Sequence, residues 1–95
     1  MARQVDWRGV VKTTLHPTQV QILEETALRG RLSPVQFCDR GAELARVAYH
    51  FRALHKLGLL EPAGTAGRRG AVEHFYRLSE IALGEQARED SLTAR

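Results

Sequence analysis

Residues 41–62, GAELARVAYHFRALHKLGLLEP, decide how the rest of the chain is read. Leu44, Val47, Phe51, Leu54 and Gly58 recur at spacings of three and four, the mark of a helix with one face turned to a core. The opposite face carries Ala45, Arg46, Tyr49, Arg52, Ala53 and Lys56, with His50 on its flank. No acid follows Glu43 on this helix. Cations, small alanines that permit close approach, and Tyr and His as hydrogen-bonding groups suit a helix lying in a DNA groove. A solvated basic face has the same composition, so the helix alone does not decide between them. Gly58 is placed to cap the C-terminus, and Leu59-Leu60 starts an extended run.

Outward from this helix, the N-terminal side supplies three more helical segments. Asp6 is placed to cap a short helix over residues 7–13, with Trp7, Val10 and Val11 on one side. His16-Pro17 punctuates the chain, and Pro17 suits the first turn of a helix over residues 17–28 that Gly30 ends. Its stripe is Val20, Leu23 and Ala27, widened by Ile22. Ser33 as N-cap and Pro34 at the first position open a short third helix over residues 34–39, with Phe37 and Cys38 inward. The turn Arg40-Gly41-Ala42 follows. A short helix, a tight turn containing Gly and a longer basic helix are the parts of a helix-turn-helix.

On the C-terminal side, residues 62–70 read as a flexible loop holding Gly64, Gly67 and Gly70, with Arg68-Arg69 near its end. Residues 71–78 then alternate, with Val72, His74, Tyr76 and Leu78 on one face and Glu73, Phe75 and Arg77 on the other, as a strand returning along residues 59–61. Glu73 is a candidate to anchor this wing by pairing with Arg68, Arg69 or Arg77. Ser79 is placed to cap a last helix over residues 81–88, and residues 1–5 and 89–95 are expected to be flexible. The expected fold is a single domain over 1–95, with its core over residues 7–79. It is mainly α with a small β-hairpin, in the order α-α-α-α-β-β-α, a winged helix-turn-helix.

Ninety-five residues allow only a modest core, so burial through dimerisation would help. The charge is unevenly spread: residues 40–77 hold seven cations against three acids, while residues 79–95 hold two against four. A polyanion partner calls for that bias. Cys38 is the one cysteine and excludes an internal disulfide. No signal-like or membrane-spanning run is present in the sequence, and the expected location is the cytoplasm.

The segments LHPTQVQILEE, SPVQFC, VAYHFRALHKLGLLEP and RRGAVEHFYRLS resemble winged helix-turn-helix regulators of the ArsR type, in the branch with a Tyr-His pair in the recognition helix and an Arg-Arg-Gly wing. The resemblance covers about residues 7–79. It implies a homodimer that binds double-stranded DNA and regulates transcription, usually as a repressor. It assigns Arg46, Tyr49, His50 and Arg52 to the major groove, and Arg68 and Arg69 to phosphates or the neighbouring minor groove. Lys56 is expected on the phosphate backbone. Dimer contacts would come from the first and last helices, around Trp7, Val10, Val11 and Ile81.

The residues give little ground for a metal site or for catalysis. The two-cysteine metal pattern known in such regulators is absent, and His16, His50, His55 and His74 lack paired ligand spacing, so no metal or cofactor is expected. No phosphate loop, nucleophile elbow or converging carboxylate pair supports an enzyme. His50 has a second reading as a helix-packing residue, and His74 reads as a partly buried strand residue. The rival to DNA binding is a winged helix serving as a protein-interaction module, its basic face meeting an acidic partner.

Overall fold

The structure is a computed structural model, and it describes residues 5–7, 15–38 and 43–84. The expected helix beyond Trp7, with Val10 and Val11, lies outside these residues, as do the turn over 40–42, the last helix from residue 85 and the tail. Three helices and a hairpin make up the described chain: α1 (Pro17–Arg29), α2 (Pro34–Phe37), α3 (Leu44–Lys56), β1 (Leu60–Arg68) and β2 (Ala71–Leu78). The molecule is thus mainly helical with one antiparallel hairpin. A further helical turn spans residues 80–84. No helix among the described residues is long and apolar enough to cross a membrane.

Helix α1 starts where Pro17 fixes φ for the first turn, and His16 takes the N-cap position usually held by Ser or Asp. His16 Nδ1 accepts the Thr18 N–H at 3.1 Å, and Gln19 Oε1 accepts the His16 N–H at 3.1 Å. Ile22, Leu23, Thr26 and Ala27 are buried, and the Thr26 hydroxyl donates back to the Ile22 carbonyl at 2.6 Å, so no lone polar group enters the core. Gly30, at φ +85°, ends the helix.

Ser33 caps α2 as the sequence indicates. Its Oγ accepts the Gln36 N–H, and Gln36 Oε1 accepts the Ser33 N–H. The same hydroxyl donates to Glu73 on β2, so the cap of the short helix is tied to the hairpin. Arg77, an expected alternative partner of Glu73, meets Glu61 at 2.7 Å, the residue opposite it in the strand register.

Helix α3 turns Val47, His50, Phe51 and Leu54 inward. With Ile22, Leu23, Leu32, Leu59, Leu60 and Leu78 these apolar side chains form one core, against which Trp7, Leu15, Phe37, Cys38 and Tyr76 are packed. Phe51, fully buried, meets the Phe37 ring edge-on at 6.3 Å and the Tyr76 ring at 5.5 Å. Val5 is also buried here, while residues 1–4 of the segment expected to be flexible lie outside the described residues.

The hairpin corrects the sequence reading most. Residues 62–68 are not a loop: they continue β1 opposite β2, from Leu60↔Leu78 to Arg68↔Ala71, with a bulge between Pro62 and Thr65. Gly64 takes φ +107° at that bulge, and the turn is only Arg69-Gly70, at φ +35° and +80°. Positive φ at both central residues is what lets a two-residue turn match strand twist. The glycines mark a bulge and a turn rather than slack chain. Because the hairpin reaches past the core, Val72 and His74 are exposed near its tip, against the partly buried place expected for His74, while Leu78 is buried at its base and Tyr76 packs on the core. Leu32 pairs with Tyr76 from the other side through two bonds of 2.8 Å, placing β2 between two partners.

Ser33→Ala removes the cap of α2 and the donor to Glu73 together. The variant is expected to lose about 1–2 kcal/mol, read as a fall in thermal midpoint of about 4–8 °C per kcal/mol. An unchanged midpoint would show that the cap does not tie helix to hairpin.

Candidate functional site

Burial of one stripe of α3 forces the other into solvent. Arg46, Tyr49, Arg52 and Lys56 are all exposed, spaced by three, three and four residues, with Ala45 exposed and Ala53 half-buried among them. Tyr49 is 60% exposed, unusual for an aromatic with a packed core close by. His55 extends the polar surface at the helix end, its ring 6.0 Å from that of Tyr76. No acidic side chain occurs between Leu44 and Lys56, so the face is uniformly basic.

His50 is not on that face. It is 7% exposed, and its Nδ1 lies 3.2 Å from Gln19 Nε2. Its ring stacks on His16 at 4.7 Å and meets the Tyr49 ring edge-on at 5.6 Å. Gln19 gives its oxygen to the His16 N–H and its amide N–H to His50, so the His50 Nδ1 is the acceptor and the ring is neutral. His50 thus sits where its packing reading puts it, with a side-chain amide rather than a backbone carbonyl as its partner, and off the exposed stripe that the groove reading uses. The signal was in the spacing: residues 47, 50, 51 and 54 are i, i+3, i+4 and i+7, the inner stripe itself.

At the far end of the hairpin, Arg69 is exposed at the turn, and Arg68 closes β1 beside it. A non-glycine residue at φ +35° is held there against a steric preference of roughly 1–2 kcal/mol. Arg69 thus occupies a position where Asn or Gly would be more stable.

The residues assigned to dimer contact divide. Ile81 is 59% exposed and lies over Gly58, whose neighbour in sequence, Leu57, is 46% exposed. Trp7 is half-buried against the core. The N-terminal segment and the residues after β2 lie side by side, with the Asp6 N–H bonded to the Ala82 carbonyl at 2.7 Å and the Asp6 carboxylate filling the space where any side chain at Gly84 would point.

Two other features carry less. An open groove of about 640 Å³ runs between the end of α1, the hairpin base and residues 80–84. Its arginines are matched by acids, Arg29 with Glu25 and Arg77 with Glu61, which leaves no unmatched cation on its lining for an anionic ligand. Among the described residues no three His, Cys, Asp or Glu side chains gather as a metal site. Compared with protein-family models, curated proteins and solved structures, the chain has no match.

Burial holds the His50 pKa below its ordinary 6.5, and the nearby His16 and Arg46 push it the same way. The unfolded chain then takes up this proton before the folded one. Its contribution to stability is whole above about pH 6.5 and is lost as pH falls through the folded-state value. Thermal midpoints of wild type should drop more steeply between pH 7.5 and 5 than those of His50→Gln, which keeps an acceptor for Gln19 but cannot titrate. Parallel profiles would rule out a buried neutral imidazole.

Proposed function

We propose that this chain is a winged helix-turn-helix protein that binds duplex DNA as a homodimer and regulates transcription as a repressor. The observation that carries the reading is the acid-free stripe of α3, with Arg46, Tyr49, Arg52 and Lys56 exposed together while the other stripe is locked into the core. An α-helix fits the major groove, and arginine offers a forked pair of donors to guanine. Arg46, Tyr49 and Arg52 are the base-reading set, and Lys56 contacts the phosphate backbone. His50 leaves that set and serves it from behind, its ring set edge-on to Tyr49.

The hairpin supports the same reading. Arg69 kept at a strained turn position is better explained by a partner at the tip than by folding, since Asn or Gly would ease the turn. Arg68 and Arg69 at the tip suit phosphate oxygens or a narrow minor groove. For the dimer, the support is the exposed pair Leu57 and Ile81, together with the side-by-side terminal segments. The sequence resemblance assigns the same segments to the dimer.

Fluorescence anisotropy with mixed genomic duplex, titrated at several salt concentrations, tests the proposal. Arg46→Ala or Tyr49→Ala should cost about 1–3 kcal/mol on a selected site, whereas Arg69→Ala should weaken all duplexes alike and lower the salt slope by about one. Binding indifferent to salt would instead favour a protein-interaction module with an acidic partner. For the dimer, Ile81→Asp should shift the species seen by sedimentation toward monomer, and a monomeric wild type overturns that part.

A further inference from the structure

Phe75 is 7% exposed, yet it stands apart from the core cluster. Alternation along β2 puts it on the sheet face opposite Tyr76 and Leu78, the two that face the core. Part of its cover is Arg31, an exposed residue in the link between α1 and α2, whose guanidinium carbon lies 4.1 Å from the ring centroid. Arg31 Nη1 also donates to the Ala63 carbonyl on β1 at 3.4 Å. One side chain thus touches both strands, and it does so beside the bulge where β1 bends.

The surroundings are shaped for this contact. Gly64, next to Ala63, sits at φ +107°, and a side chain there would start 3.5 Å from Arg31 Nη1. The residue after Arg31 is Leu32, which holds β2 through its two bonds to Tyr76. Bond pairing at Leu32 and the Ser33–Glu73 bond hold β2 from the α2 side. Arg31 reaches over the outer face and adds a contact to both strands there.

We propose that Arg31 is a positioning residue that clamps the hairpin and sets the angle at which its tip, with Arg68 and Arg69, meets DNA phosphates. The inference rests on the DNA-binding reading above and adds a residue that contacts no nucleic acid itself. If the clamp acts only through the tip, its removal costs no more than the tip's own contribution and costs nothing once the tip is neutral.

The test is a mutant cycle on the full chain, read by anisotropy with mixed genomic duplex. Arg31→Ala should weaken binding about three- to fivefold in the wild-type background and less than about 1.5-fold in Arg68→Ala/Arg69→Ala. Losses that multiply independently would show that Arg31 meets DNA through its own charge, which overturns the proposal. Amide exchange over residues 63–75, measured without DNA, should quicken in Arg31→Ala, and unchanged exchange rejects the clamp. A wild type that binds no duplex sinks the DNA-binding reading, while the exchange result still judges the clamp by itself.

Discussion

Phe51 is the point through which the helices and the hairpin are joined. Its ring has Phe37 of α2 on one side and Tyr76 of β2 on another, while its own backbone belongs to the helix that presents the basic face. Aromatic pairs of this kind contribute about 0.5–1.5 kcal/mol beyond burial. Their larger effect here is geometric, because α2 has only four residues and could not hold its own orientation. The cap at Ser33 and the ring contact at Phe37 fix its two ends, one to the hairpin and one to α3. The hairpin needs the same help, since two strands alone are marginal in water.

A second constraint is polar and rests on His50, the residue just before Phe51 on α3. His16, Gln19 and His50 form a chain of donors and acceptors that runs from the start of α1 to the inner stripe of α3. A histidine in an inner stripe would be costly without a partner. Gln19 supplies one, and the stacked His16 ring shields it. The effect on the outer face is direct: with His50 held inward, Tyr49 leans on its edge and stands free at 60% exposure.

Local signals made the helices readable. Pro17, Gly30, Ser33 and Pro34 each act within a few residues of where they stand, and α1 and the start of α2 fall where they put them, while α3 and β2 fall where apolar spacing and alternation put them. The hairpin failed for a long-range reason. Three glycines between Pro62 and Gly70 read as slack chain, but pairing with β2 recruits them into strand, bulge and turn, and a partner strand is invisible to a local reading. His50 failed differently: its spacing placed it inside, and its resemblance to a base-reading position outweighed that spacing. Arg31 gave no sequence signal at all, because its meaning lies in Phe75 and Ala63, more than thirty residues away.

In so small a domain basic residues are sorted by their surroundings. Charge counting treats Arg31, Arg46, Arg69 and Arg77 alike, but the surroundings separate them. Arg77 is matched by Glu61 and Arg31 is spread over a ring and a carbonyl, so both have partners within the chain. Arg46 sits on an acid-free face, and Arg69 is carried out to a turn whose backbone it strains. An arginine with an internal partner stiffens the scaffold, whereas one held outward at some steric cost is shaped for an external anion. By that criterion the proposed DNA-binding reading draws on the basic stripe of α3 and the hairpin tip, while Arg31 and Arg77 hold the frame that carries them.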